Sequence, residues 1–178
     1  DAGWFTNGAG MNFNHNYGFG RVDAAAAVAA AETWINVPVE ASALTNSEAV
    51  ATPIPDANLT GASRTLAISG SPNFVTEFVE VTVNVTHPDR GDLAFELTSP
   101  DGTVSVLGRP RPLDNGANFS NWMFTSVVHM GEDPNGNWTL NVADEAASNA
   151  GTLTSWSIAV RGYIADNDQD NDGILDTA

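Results

Sequence analysis

The sequence predicts an all-β fold: an antiparallel jelly roll or β-sandwich of about eight strands, preceded by one N-terminal α-helix. Apolar and polar residues alternate in several runs between residues 48 and 163, which is the period of strands that bury one face. Turn-forming sequences such as Pro100-Asp101-Gly102 separate these runs, and no helical pattern lies between them. Strands without intervening helices are typical of a sandwich or jelly roll.

The first 35 residues form a separate piece, which is rich in Gly and Asn up to Gly20. Asp23 is then followed by a run of almost only Ala and Val. Because Ala has the highest helix propensity and Asp interacts favourably with a helix N-terminus, residues 22–34 are predicted to form a helix. This helix has no extended polar face, so we expect it to pack against a part of the protein outside this chain.

Residues 36–47 are predicted to be a linker that contains a proline and has room for a short first strand. The clearest strand follows at residues 79–85, where four valines share one face and polar residues share the other. Trp138 and Trp156 alternate in phase with aliphatic residues, so both are predicted to lie in the core. The other predicted strands are 93–97, 138–142 and 156–160, with less regular ones at 64–68, 104–107 and 123–128.

The formal net charge of −16 arises from 22 acidic residues against six basic residues, all of which are Arg. This surface repels the phosphates of nucleic acids and anionic lipids, so neither nucleic acid nor a membrane is an expected partner. The absence of Cys excludes a disulfide framework. No signal peptide opens the chain, which we interpret as an internal fragment of a secreted, extracellular protein.

Three groups of turn and strand residues follow one another in a distinctive order. They are Leu97-Thr98-Ser99-Pro100 with Gly102-Thr103, then Gly131-Glu132-Asp133-Pro134-Asn135-Gly136-Asn137-Trp138, then Gly151-Thr152-Leu153-Thr154-Ser155-Trp156. Over residues 53–163 this order resembles the P domain of kexin- and furin-like proprotein convertases. The resemblance implies an accessory domain of a secreted subtilisin-like serine protease, which docks on the catalytic domain of the same polypeptide, stabilises it and assists its folding.

The N-terminal piece carries a second resemblance. Residues 17–24, Tyr-Gly-Phe-Gly-Arg-Val-Asp-Ala, are similar to the last turn and helix of a kexin-type subtilisin catalytic domain. We therefore interpret residues 1–35 as the C-terminal end of that domain, followed by the linker and by the P domain at residues 48–163. The animal convertases carry a cysteine near residues 129–132, and its absence here indicates a bacterial relative.

A catalytic centre is not expected in this chain. Subtilisin-like catalysis needs a Ser, a His and an Asp in family motifs, and neither the Ser motif nor the His motif is present. The three histidines, His15, His87 and His129, lack the neighbours that the motif requires. The chain alone is therefore predicted to be no enzyme, with no catalytic residues, while the resemblance implies that the parent protein is a serine endopeptidase, a hydrolase.

The tail at residues 164–178 contains a calcium-loop pattern. Carboxylates occupy the first, third, fifth and ninth positions and Gly173 the sixth; the candidate ligands are Asp168, Asp170, Asp172 and Asp176. Spacing by two brings side chains to one side of a tight turn, and Gly permits the positive φ of that turn. The pattern resembles one unit of the thrombospondin type 3 calcium repeats. Calcium is thus a predicted structural cofactor, and the alternative is an Asp-rich linker.

A second calcium prediction concerns acidic residues at the ends of strands. The candidate ligands are Asp101, Glu132, Asp133 and Asp144. The alternative is that these side chains cap turns by accepting hydrogen bonds from nearby backbone N–H groups.

The expected docking surface is an apolar patch around Phe119, Trp122 and Phe124, rimmed by polar groups. Its expected partner is the catalytic domain of the same polypeptide. The competing function is a substrate- or matrix-binding module that recruits the protease to a protein or carbohydrate target, because jelly rolls commonly hold such ligands.

Overall fold

The structure is a computed structural model that describes residues 3–34, 38–70 and 72–165. Ten β-strands and one α-helix lie in these ranges, together with a short 3₁₀-helix at Arg90–Asp92. The elements are β1 (Phe5–Thr6), β2 (Asn12–Phe13), α1 (Ala24–Ala31), β3 (Leu44–Ile54), β4 (Asn58–Ile68), β5 (Phe74–Thr86), β6 (Leu93–Thr98), β7 (Val104–Gly108), β8 (Phe119–Ser126), β9 (Gly136–Asp144) and β10 (Gly151–Ile164).

Eight of the strands form a sandwich of two four-stranded antiparallel sheets. One sheet has the order β3-β10-β5-β8 and the other has the order β4-β9-β6-β7. The all-β class, the number of strands and the single N-terminal helix are confirmed. The two remaining strands, β1 and β2, pair only with each other and form an N-terminal hairpin.

The core lies between the two sheets and follows the predicted alternation. Four valines of β5 (Val79, Val81, Val83 and Val85) are buried, and so are Trp138 and Trp156. Each indole N–H still has a partner, since Trp138 donates to the carbonyl of Pro134 at 2.9 Å and Trp156 donates to Glu48 at 2.7 Å. Both tryptophans are therefore core residues that keep their hydrogen bonds on burial.

The strands are longer than predicted, and β8 spans Phe119–Ser126 instead of the predicted residues 123–128. Strand β3 begins at Leu44, inside the predicted linker, because it pairs with β10 along almost its whole length. Strand β4 begins at Asn58 instead of residue 64, and it contains an irregularity beside Gly61. Gly61 has a φ of +67°, and a Cβ there would overlap the backbone at Val142, so only glycine fits this bulge.

The helix α1 begins after Asp23, whose carboxylate accepts hydrogen bonds from the N–H groups of Ala25 and Ala26 at 3.0 and 3.1 Å. It is shorter than the predicted span of residues 22–34, and none of its residues is buried. Within the described residues the helix therefore has no apolar packing partner, and the expected partner outside this chain stays a prediction. Among the described helices, none is long and apolar enough to cross a membrane.

Candidate interdomain junction

The N-terminal hairpin, residues 5–13, packs against the sandwich at the loop between β8 and β9. Phe5 pairs with Phe13 and Thr6 with Asn12, and the turn between them is closed by the side chain of Asn7. The Asn7 carboxamide oxygen accepts hydrogen bonds from the N–H groups of Ala9 at 3.1 Å and Met11 at 2.9 Å. The local sequence thus builds a tight turn around one amide side chain.

The same Asn7 side chain attaches the hairpin to the sandwich. Its nitrogen donates to the carbonyl oxygens of Val128 and Met130, both at 2.9 Å, and the residue is only 4% exposed. Two donated and two accepted bonds occupy both ends of the amide group. One side chain therefore fixes the shape of the hairpin and its position on the β8–β9 loop.

Glu132 is the second point of attachment. This residue is 1% exposed, and its Oε1 accepts hydrogen bonds from the N–H of Gly8 at 2.8 Å and from the hydroxyl of Thr103. Its Oε2 lies 3.3 Å from Nδ1 of His129. The carboxylate therefore joins the hairpin to the β6–β7 turn and to the β8–β9 loop.

The environment of Glu132 keeps its carboxylate ionised. Burial raises the pKa of Glu132, but hydrogen bonds from His129, Thr103, Ser99 and the Gly8 N–H outweigh this effect and lower the pKa to about 2. The His129 ring stands edge-on to Trp138, with centroids 4.9 Å apart. We assign the donated proton to Nδ1 from its contact with the carboxylate.

His15 makes a third contact, with the edge of the sandwich. Its ring lies beside Phe5 and Phe13, at centroid distances of 5.4 and 5.5 Å, and its Nε2 accepts the N–H of Val106 at 2.9 Å. An acceptor nitrogen carries no proton, so this contact requires the neutral ring. Burial lowers the pKa of His15 and Arg109 lowers it further, which favours that neutral form.

Two glycines allow the hairpin to approach this closely. A Cβ at Gly8 would lie 2.5 Å from the Cβ of Asp101. Gly131 has a φ of +83°, and a Cβ there would lie 2.7 Å from the terminal methyl of Met11 and 2.9 Å from the Cβ of Ala9. A side chain at either position would therefore push the hairpin away from the sandwich.

The structure does not bring the four candidates of the second calcium prediction together. Glu132 belongs to the junction, and Asp133 caps a turn by accepting the N–H of Asn135 at 2.9 Å. Asp144 is buried elsewhere, 3.1 Å from Nε2 of His87. Within the described ranges, no three His, Asp or Glu side chains are arranged to hold a metal ion. The tail candidates, Asp168, Asp170, Asp172 and Asp176, lie outside the described residues, so that calcium prediction stays a prediction.

The Asp144–His87 pair is a second buried carboxylate with a histidine partner. The N–H of Asp89 donates to Nδ1 of His87 at 3.1 Å, so the ring carries its proton on Nε2, where it faces Asp144. The other oxygen of Asp144 accepts the N–H of Ala146 at 3.2 Å. This pair holds the ends of β5 and β9 together and has a structural role.

The predicted docking patch is only partly at the surface. Phe119 is 3% exposed and packs on Phe95 at a centroid distance of 5.1 Å, so it lies in the core and offers no docking surface. The reason is that β8 turns this side chain inward, between the sheets. Phe124 is half-buried, whereas Trp122 is 43% exposed. Of the three predicted residues, Trp122 is the one that a partner could contact extensively.

Sequence reasoning missed the residues that make the junction: Asn7, Gly8, Thr103, His129 and Gly131. An Asn-Gly pair signals a turn but gives no sign that the amide side chain binds a loop more than a hundred positions away. The burial of these polar groups follows from tertiary contacts alone.

A family model described as the proprotein convertase P-domain matches residues 76–160, which extend from β5 into β10 and include most of the sandwich. Residues 76–160 belong to the proprotein convertase P-domain family. Furin of Rattus norvegicus is 36% identical to it over 168 residues, which are 92% of this chain and 21% of that protein. Endoprotease bli-4 of Caenorhabditis elegans is 38% identical over 182 residues, which are 97% of this chain and 19% of that protein.

A solved structure has a similar fold over most of this chain. The serine protease of Aeromonas sobria, crystallised in complex with a chaperone, superposes with a TM-score of 0.81 at 27% identity, covering 92% of this chain and 34% of that chain. The chain spans about a fifth of the length of the furin and bli-4 relatives. These similarities extend well beyond residues 76–160. The bacterial origin stays a prediction.

Gly131→Ala is expected to detach the hairpin, and Gly102→Ala is its matched control. Both glycines have a φ of +83°, but a Cβ at Gly102 meets no atom within 4 Å. Backbone strain costs each variant about 1–2 kcal/mol, and Gly131→Ala should lose about 1 kcal/mol or more in addition through overlap with Ala9 and Met11. Chemical denaturation measures the free energy of unfolding, and limited proteolysis measures how readily the hairpin is cleaved. Equal values for the two variants would contradict the close packing at Gly131.

Glu132→Gln is expected to make the free energy of unfolding less dependent on pH below pH 4.5. The pKa of Glu132 is lowered from its ordinary 4.5 to about 2 on folding. The contribution of the Glu132 carboxylate to the free energy of unfolding is therefore complete above pH 4.5. It is lost as the pH falls from 4.5 through about 2, a loss of about 3 kcal/mol. Denaturation curves between pH 2 and 7 measure the slope. A variant that kept the wild-type slope would show that Glu132 is not the group responsible.

Proposed function

We propose that this chain is the accessory P domain of a secreted subtilisin-like serine endopeptidase, together with the C-terminal end of its catalytic domain. The P domain would hold that end in place, stabilise the catalytic domain of the same polypeptide and assist its folding. The chain itself would carry no catalytic centre. Support comes first from the relatives, of which bli-4 is named an endoprotease, and from the structural neighbour, which is a serine protease.

The single observation that carries the proposal is the attachment of the hairpin to the sandwich. Asn7 and Glu132 supply hydrogen bonds that form only when both parts are folded and in contact. A group that binds only the folded form of a domain shifts the folding equilibrium toward that form. Because the two parts share one chain, their effective concentration is high and the stabilisation is correspondingly strong.

The apolar surface of the N-terminal piece fits the same proposal. Helix α1 exposes its alanines and Val28, and Tyr17 is 60% exposed beside Trp4, with ring centroids 6.4 Å apart. Apolar surface of this kind commonly marks an interaction site. The body of a catalytic domain on the N-terminal side would cover it, which would bury the helix as its composition requires.

We place the parent protein in the secretory pathway or outside the cell. The relatives include furin and proprotein convertases, and the structural neighbour is a serine protease. A strongly acidic chain without cysteine is compatible with such surroundings, because it stays soluble and its stability does not depend on the redox state.

Asn7→Ala is expected to shorten the lifetime of the protease at elevated temperature, in a polypeptide that contains both the catalytic domain and this chain. One buried and one partly buried carbonyl group lose their donor, which costs about 2–3 kcal/mol. Asn12→Ala is the control, since it removes one exposed hydrogen bond from Thr6 in the same hairpin. Residual activity after heating measures the effect, and equal lifetimes for the two variants would argue against a stabilising junction.

Trp122→Ala tests the exposed part of the docking patch. If Trp122 contacts the catalytic domain, the substitution lowers the melting temperature of the combined polypeptide more than that of this chain alone. Calorimetry on both proteins measures the difference. Equal losses would mean that Trp122 serves only the sandwich, through its contact with Phe119 at a centroid distance of 5.6 Å.

A further inference from the structure

Two hollows lie end to end along strand β7. The first, of about 580 Å³, lies between the N-terminal hairpin and β7 and includes Asp101 at its wall. The second, of about 380 Å³, includes Arg109. His15 and Val106 line both, so the hollows adjoin at these two residues, and we call the two together the β7 groove.

The groove follows the free edge of a sheet. Strand β7 is the outermost strand in the order β4-β9-β6-β7, so one of its sides has no strand neighbour within the described chain. Such an edge presents backbone N–H and C=O groups that can pair with an added strand. Because these groups alternate in an antiparallel sheet, Val104 and Val106 direct theirs to the same side.

One backbone N–H on this edge already has a hydrogen-bond partner, a side chain that lines the groove. The N–H of Val106 donates to Nε2 of His15 at 2.9 Å. The imidazole nitrogen thus occupies the place that a carbonyl oxygen of an added strand would take. This contact shows that the N–H of Val106 points away from β6 and into the groove.

Opposite charges stand at the two ends of the groove. Asp101 is exposed at one end and Arg109 at the other, and neither forms an ion pair within the described ranges. The carboxylates of Glu132 and Asp133 add negative charge near the Asp101 end of the groove. Between these ends β7 offers five residues, or roughly 16 Å of extended backbone.

We propose that the β7 groove binds an extended peptide segment that runs antiparallel to β7, with an acidic residue near its N-terminal end beside Arg109 and a basic residue near its C-terminal end beside Asp101. The segment takes the Val106 N–H from His15 and adds a fifth strand to the sheet. Backbone hydrogen bonds provide affinity, and the two terminal charges set the direction. Antiparallel pairing is the more stable choice and matches every other pairing in this sheet.

The test uses two labelled peptides of equal composition on the chain itself. The probe is acetyl-Glu-Thr-Val-Thr-Val-Thr-Lys-amide, and the comparison peptide exchanges its terminal Glu and Lys. Fluorescence anisotropy should show binding of the probe about threefold or more tighter than the comparison peptide, which is the range of exposed ion pairs. Equal binding, or a preference for the comparison peptide, would overturn the proposed direction.

Charge variants locate the site. Asp101→Asn and Arg109→Gln should each weaken probe binding about threefold, whereas Glu145→Gln and Arg21→Gln, exposed and outside the groove, should leave it unchanged. The double variant Asp101→Lys with Arg109→Glu should prefer the comparison peptide. Equal effects from the control substitutions would reject the β7 groove. Melting temperatures confirm that each variant is folded.

Amide chemical shifts separate this occupant from others. The probe should shift the amide signals of Val104 and Val106, and the loss of the His15 contact should shift the His15 ring signals. No shift at millimolar probe, or shifts confined to the neighbourhood of Trp122, would overturn the proposal. Concentration-dependent dimerisation with shifts at Val104 in the absence of peptide would show that a second copy of the chain occupies the edge instead. None of these readouts depends on a catalytic domain, so they stand or fall separately from the proposed function.

Discussion

The ionised carboxylate of Glu132 joins three parts of the chain that lie far apart in the sequence. Its oxygens bond to Gly8 in the hairpin, Thr103 in the β6–β7 turn and His129 in the β8–β9 loop. A carboxylate removed from water is costly unless donors surround it. Because these donors come from separate segments, the group is satisfied only when the hairpin is docked on a folded sandwich. The position of the N-terminal piece therefore depends on this residue together with Asn7 and His15.

Two buried carboxylates in this chain each have a histidine as partner. Both Glu132 and Asp144 are almost fully buried, and each faces a histidine, His129 and His87 respectively. This protein has no Lys and only six Arg, so few cationic side chains are present to pair with a carboxylate. A histidine can take that place because a neutral imidazole still donates one N–H hydrogen bond. The two-sheet core provides the rigid frame for both pairs, and the loops at its ends supply the polar groups.

The sequence predicted the interior of the sandwich better than its edges. The valines of β5 and the two core tryptophans alternate in strict period two because successive side chains of a strand point to opposite faces and only one face packs in the core. Edge strands such as β3 and β4 bury less of one face, so their patterns are weaker and their starts were missed. Phe119 shows the reverse error, since an aromatic residue in an irregular strand reads equally well as core or as surface.

By itself the sequence determined the fold class, the faces of the central strands, the Asp23 cap of α1 and the family resemblance, because all of these are properties of short windows. Only the tertiary structure decided that Asn7 and Glu132 form a junction, that His15 covers the edge at Val106, and that Asp144 pairs with His87. These contacts join residues 57 to 124 positions apart. Their formation depends on the order of the strands and on the path of the loops, and no local periodicity encodes either.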